Sequence, residues 1–156
     1  MAKEIERKFL VKNLKFKELG YSYKIEQSYI CIEDGRVVRV RRCSNHAFLT
    51  IKSASVGFSR YEFEYEIPVD DAQKMLETVC IQPTLKKERY VVIFENKKWE
   101  IDVFEQENSG LIIAEIELES EDETFNIPDF IGQEVTNDER YYNSYISKNP
   151  YKYFVL

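Results

Sequence analysis

The sequence predicts a mainly β protein of the α+β class, an eight-stranded antiparallel barrel closed on itself with helices on its outside. Three observations carry this. Apolar and polar residues alternate with period two over most of the chain, and many of the apolar ones are β-branched or aromatic. Turn residues separate the alternating runs at short intervals. Helical spacing is confined to a few segments.

The alternating runs place strands at 3–11, 22–33, 36–43, 47–53, 59–67, 84–95, 98–105 and 110–119. Asp34-Gly35 reads as the turn of a hairpin, with Ser44-Asn45 and Asn96-Lys97 in the same role further on. From 70 to 80 the chain opens on aspartates and then spaces Ala72, Met75, Leu76 and Val79 at helical intervals, which predicts a helix capped near Pro68–Asp70. Shorter helices are expected at 13–19 and 138–147. The apolar tail Tyr151–Leu156 is expected to dock on the barrel or to contribute to a dimer interface. Closure of the barrel removes the exposed edges that promote aggregation. The 156 residues suit one domain spanning 1–156, because two halves would each bury too little surface.

Composition narrows the function. Hydrophobic residues form 44% of the chain and charged residues 32%, the balance of a soluble protein with a real core. No apolar run is long enough to span a bilayer, and Met1-Ala2-Lys3-Glu4 lacks the layout of a signal peptide, so the expectation is a cytoplasmic protein with no membrane partner. Cys31, Cys43 and Cys80 are widely spaced and odd in number, which argues against a zinc site or a disulfide framework. His46, the one histidine, sits beside an expected turn and reads as a surface turn residue. A net charge of −6 argues against a nucleic-acid partner. Any bound anion has to be held by a local cluster of cations.

Such clusters are present. Residues two apart on a strand share a face. Glu4, Glu6 and Lys8 therefore point one way, as do Arg39 with Arg41, Thr50 with Lys52, Glu62 with Glu64, Lys87 with Arg89, Glu100 with Asp102, and Glu115 with Glu117. The alternate positions are largely apolar. Charged faces in water would mix signs so that neighbours attract, whereas these are like-charged doublets, whose repulsion grows as the dielectric falls. Converging inside a barrel, acidic and basic walls would need one another, water and ligands. Carboxylate clusters suit hard divalent cations, and arginine and lysine clusters suit phosphate oxygens.

Read in order, Glu4-x-Glu6-x-Lys8, Gln27-Ser28-Tyr29, Arg39-Val40-Arg41, Thr50-Ile51-Lys52 and Arg60-Tyr61-Glu62-Phe63-Glu64 resemble the signature of the triphosphate tunnel metalloenzymes, the CYTH superfamily. Lys87-Glu88-Arg89-Tyr90, Trp99-Glu100-Ile101-Asp102, Ala114-Glu115-Ile116-Glu117 and Val135-Thr136-Asn137-Asp138-Glu139-Arg140-Tyr141 continue the match over nearly the whole chain. Its short length is similar to that of the small single-domain bacterial members.

The resemblance implies an eight-stranded tunnel that binds a linear triphosphate as small-molecule substrate, with Mg²⁺ or Mn²⁺, two ions in all. Carried over by position, Glu4, Glu6, Glu62, Glu64, Asp102, Glu115 and Glu117 match the acids that hold metal. Lys8, Arg39, Arg41, Lys52, Lys87, Arg89 and Arg140 match the cations that contact phosphate or close the tunnel. The implied reaction is hydrolysis of inorganic triphosphate to diphosphate and phosphate, with Lys8 or Lys87 as base. Alternatives in the same superfamily are an adenylate cyclase, a thiamine triphosphatase and a nucleoside triphosphatase; outside enzymes, a polyphosphate- or nucleotide-binding module. Monomer and homodimer both fit.

Overall fold

The computed structural model describes residues 3–154. Its strands are β1 (Lys3–Val11), β2 (Tyr21–Glu33), β3 (Arg36–Cys43), β4 (His46–Lys52), β5 (Ser59–Ile67), β6 (Leu85–Phe94), β7 (Lys97–Phe104), β8 (Ile112–Glu117) and β9 (Ile131–Glu134). The antiparallel sheet runs β5-β4-β3-β2-β6-β7-β8-β1-β9, and an additional β5–β1 pairing closes the first eight strands into the expected barrel. β1 achieves this by changing partners along its length. Lys3–Ile5 pair with β5, Phe9 and Val11 pair with β9, and Glu6–Leu10 pair with β8 on the other edge.

The turns follow backbone chemistry. Asp34 and Gly35 both lie at positive φ, 51° and 80°, as the tight turns that match strand twist require. At the β6–β7 hairpin the left-handed pair is Glu95-Asn96, at 48° and 65°, one residue earlier than expected, because Lys97 already pairs with Phe94. His46 is likewise the first residue of β4 rather than a turn residue. It is exposed, with its Nδ1 2.9 Å from Glu66.

Helix α1 (Val69–Thr78) follows Pro68 and buries Ala72 and Leu76 against Val40 and Ala47 of the barrel. The 13–19 segment forms only a 3₁₀ turn, Lys15–Glu18, which drives Phe16 fully into the core. Burial of such a ring stabilises the fold by about 1.5–3 kcal/mol. The expected 138–147 helix divides into a 3₁₀ turn, Glu139–Tyr141, and helix α2 (Asn143–Lys148), because Tyr142 between them is extended at ψ 137°. The ninth strand, β9, was not expected: Ile131-Gly132-Gln133-Glu134 carries almost no alternation, and it forms because β1 has a free edge there.

The main apolar core lies outside the barrel. Phe9, Trp99, Ile101, Ala114 and Ile116 point outward from β1, β7 and β8 and are covered by Phe16, Phe125, Phe130 and Ile131. A second cluster is on the inward parity. Leu85, Phe104 and Ile113 continue the rows of Lys87, Asp102 and Glu115, and they pack with Leu111, Val135, Tyr141 and Ile146. Tyr151 and Phe154 join this cluster, so the tail docks as expected as far as residue 154, while 155–156 lie outside the described residues. The barrel interior is thus charged along most of its length and apolar at one end. No described helix is long and apolar enough to cross a membrane.

Candidate active site

The inward rows of the eight strands enclose a cavity of about 260 Å³. Glu4, Glu6 and Lys8 line it from β1, Arg39 and Arg41 from β3, and Lys52 from β4. Glu62 and Glu64 come from β5, Lys87 and Arg89 from β6, and Glu115 and Glu117 from β8. Period two on eight neighbouring strands is enough to bring these twelve expected residues together.

Two expected residues stand elsewhere. Asp102 lies behind the wall, 1% exposed, with its Oδ2 2.8 Å from Lys87 Nζ and its Oδ1 accepting from Arg89 Nε at 2.7 Å. Arg140 pairs with Asp138 in its own turn, donating from Nη2 at 2.6 Å, and does not line the cavity.

The cavity-lining ions fall into two groups. One group is already paired. Lys52 Nζ is 3.1 Å from Glu4 Oε2 and 3.1 Å from Glu62 Oε2, and Arg60 Nε donates to Glu4 Oε1 at 3.4 Å. Thr50 donates to Glu64 at 3.0 Å, with Arg39 Nη2 3.7 Å from the same oxygen, and Arg89 Nη1 reaches Glu100 at 3.2 Å. The other group has no ion pair among the described residues: Glu6, Glu115, Glu117, Lys8 and Arg41. Register sets Glu6 opposite Glu117 and Lys8 opposite Glu115, with Glu115 also opposite Glu100.

Protonation follows this division. Burial, then Glu115 and Glu4, push the Glu6 carboxyl well above the usual carboxylate range. Burial opposes ionisation of Glu115 too, but Lys8 and the neighbouring Glu6 bring it down to about 2. Burial, Glu4 and Glu100 raise Glu117. Among the cations, burial followed by Arg39 and Arg89 lowers Arg41 to about 10. Burial depresses Lys87 to about 7, more than Asp102 restores. Lys8 moves the other way: against its burial, Glu115 and Glu6 raise it.

A divalent cation fits this donor set. No three described acids, histidines or cysteines gather into a ready-made coordination shell. Glu6, Glu115 and Glu117 instead supply a few uncommitted oxygens on one wall, facing cations on the other. That is the pattern for Mg²⁺ or Mn²⁺, which take oxygen ligands and complete their shell with water and phosphate.

Several lining residues were not in the expected set. Arg60 shares the inward parity of Glu62, so the spacing rule could have included it, and Glu100 stands on the face that the rule gave it with Asp102. Tyr29 lies opposite Arg39 on the same grounds. Tyr142 forms the break before α2, which no periodicity marks, and Asn143 and Ser144 open that helix.

A closed antiparallel barrel with a charged interior, holding unpaired acids on one wall and a cluster of cations on the other, defines a class of tunnel proteins built for anions together with cations. The chain belongs to the CYTH domain family, whose model matches residues 2–150. It is 49% identical to an inorganic triphosphatase of Acetivibrio thermocellus over 99% of both chains. It is 36% identical to an inorganic triphosphatase of Nitrosomonas europaea, over 90% of this chain and 93% of that one. A crystal structure of an inorganic triphosphatase, 31% identical, superposes with a TM-score of 0.66 over 92% of this chain and 96% of that chain.

Proposed function

We propose that this protein is a metal-dependent inorganic triphosphatase, hydrolysing linear triphosphate to diphosphate and phosphate inside the barrel. The observation that carries the reading is the cavity in which unpaired carboxylates face a cluster of cations, in a chain 49% identical to an inorganic triphosphatase along its whole length. A cavity built only for a cation would not need Arg39, Arg41 and Arg89, and one built only for an anion would not need Glu6, Glu115 and Glu117.

When bound, Mg²⁺ or Mn²⁺ supplies charge neutralisation on the phosphate oxygens and acidifies a water. Glu6, Glu115 and Glu117 would hold it. Glu4, Glu62 and Glu64, also expected as metal ligands, are taken up by Lys52, Arg60 and the Thr50–Arg39 pair. Asp102 serves as the fixed counter-ion of Lys87 and Arg89 in place of the metal role expected for it. Arg39, Arg41, Lys52 and Arg89 orient the phosphate chain, with arginine forks matched to its oxygens. Lys8, held charged by Glu115 and Glu6, suits a phosphate contact. Lys87, near 7, has a neutral fraction at physiological pH and suits the base that takes a proton from the attacking water. The water oxygen then bonds to a terminal phosphorus as the bridging P–O bond breaks and diphosphate leaves.

The reading treats 1–156 as one domain working in the cytoplasm, where its free thiols are stable. The test is phosphate release from triphosphate, diphosphate, ATP and thiamine triphosphate with Mg²⁺ or Mn²⁺. Triphosphate should be turned over fastest and EDTA should abolish release. Conversion of ATP to cyclic AMP with no release from triphosphate would replace this reading with a cyclase.

A further inference from the structure

Two neutral amides, Gln27 and Asn143, link two of the cavity's cations, Arg41 and Lys87. Arg41 Nε donates to Gln27 Oε1 at 2.9 Å. That fixes the orientation of the Gln27 amide, whose Nε2 then donates to Asn143 Oδ1 at 3.1 Å. Lys87 Nζ donates to the same Asn143 oxygen at 3.0 Å. Gln27 and Lys87 are both almost fully buried, which favours these contacts over solvent.

With two donors converging on Oδ1, the Asn143 amide has one orientation. Its Nδ2 is the opposite corner of that amide, and it has no hydrogen-bond partner among the described residues. The side chain lines the cavity. An amide so held presents two N–H donors at no further cost in orientation.

We infer that Asn143 is a substrate-binding residue: Oδ1 anchors it to Gln27 and Lys87, and Nδ2 donates to a phosphate oxygen of the bound chain beside Lys87. The inference rests on the triphosphate reading above and adds a residue from the C-terminal segment to the basic wall. A neutral donor here has a physical reason. Arg41 is already depressed by burial, Arg39 and Arg89, and Lys87 is depressed by burial with Arg89 and Arg41 among its neighbours, so one more cation would be costly. An amide gives the phosphate a hydrogen bond and adds no charge.

The test compares Asn143→Asp, Asn143→Ala and the unaltered protein in triphosphate hydrolysis with Mg²⁺ and in calorimetric titration with sodium triphosphate. Asn143→Ala adds no charge, so its loss of affinity reports the donor and its anchor without repulsion; Asn143→Asp keeps an oxygen for Gln27 and Lys87 but trades the donor for an acceptor and a negative charge, and should still fold. Its KM and its dissociation constant for triphosphate should rise by about tenfold or more, as loss of a hydrogen bond to a charged group predicts, with a smaller change in kcat. Asn143→Ala loses both ends and should lose kcat as well as affinity. A folded Asn143→Asp with KM and affinity within about twofold of the parent overturns the inference. Failure of the unaltered protein to bind or turn over triphosphate overturns the underlying reading and this inference with it, and is recognised because it appears in the parent.

Discussion

The β6–β7 side of the barrel and the β1–β8 side are both lined with ions, the first basic and the second acidic, yet only the first is internally settled. On β6–β7, Lys87, Arg89 and Asp102 are nearly fully buried and hydrogen-bonded to one another, with Arg89 held by both Asp102 oxygens. On β1–β8, Glu6, Glu115 and Glu117 face each other across a ladder, with Lys8 opposite Glu115 and no ion pair among the described residues. The fold therefore completes the basic wall by itself and leaves the acidic wall short of positive charge. A wall complete in advance fixes where phosphate goes; a wall left short gives a divalent cation its place. Substitutions on the two sides should act in opposite directions on stability.

The largest effect belongs to Asp102. Asp102→Ala leaves buried Lys87 without its counter-ion and Arg89 with Glu100 alone, and should cost about 3 kcal/mol in urea unfolding. Arg89 and Lys87 hold the Asp102 carboxyl, against its burial, well below the ordinary range. Its contribution is therefore full above the unfolded value, about pH 3.9, and is lost as pH falls through the depressed folded value. The parent should resist acid further than Asp102→Ala does. A cost below about 1 kcal/mol would mean that the pair roughly breaks even against its desolvation, and the contrast between the walls would fail.

On the acidic side the sign reverses. Glu6→Gln, in EDTA, should leave stability unchanged or raise it by about 1 kcal/mol, because it removes like-charge repulsion. The folded value of Glu6 lies above its unfolded one, so its contribution is full below about pH 4.3 and disappears as pH rises through the folded value. The melting temperature of the metal-free parent should therefore fall relative to Glu6→Gln as pH rises above the carboxylate range. Mg²⁺ at a hundred times its dissociation constant should restore about 2.7 kcal/mol to the parent. The gain should be smaller in Glu6→Gln, whose phosphate release should also drop. Identical pH slopes in the two proteins would show that Glu6 is not held in the repulsive cluster.

The walls themselves were legible because strand parity is local: a doublet such as Glu115/Glu117 declares a shared face wherever the strand goes. The division between paired and unpaired ions was not, because it depends on register between strands distant in sequence. Glu100 and Asp102 are indistinguishable by parity, yet one lines the cavity and the other lies behind it. Asp102 is set across from Arg89 on β6, a fact of the β6–β7 pairing. β9 was unreadable for a related reason, since its strand character comes from the edge of β1 that it covers. The extended Tyr142 broke a helix that Asp138–Ser147 otherwise suggests, and with it placed Asn143 in the cavity.

Arg140 supplies the smallest effect and the control for both walls. The sequence allows it either to reach phosphate or to pair with Asp138 or Glu139; it is exposed and bound to Asp138, whose hydrogen bonds raise its already high pKa further. Exposed pairs of this kind contribute little, so Arg140→Ala should leave kcat/KM within about twofold and the melting temperature nearly unchanged. Asp138 does more, because its Oδ1 also accepts from the Arg140 backbone at 3.1 Å and caps the 3₁₀ turn that leads to Tyr142 and Asn143. Asp138→Ala should thus cost about 1 kcal/mol, the ordinary value of a lost cap, while Arg140→Ala does not. The reverse ranking in activity, with Arg140→Ala losing tenfold or more, would mean that this arginine leaves Asp138 when phosphate binds. The basic wall would then be completed from the C-terminal segment by a cation and not only by an amide.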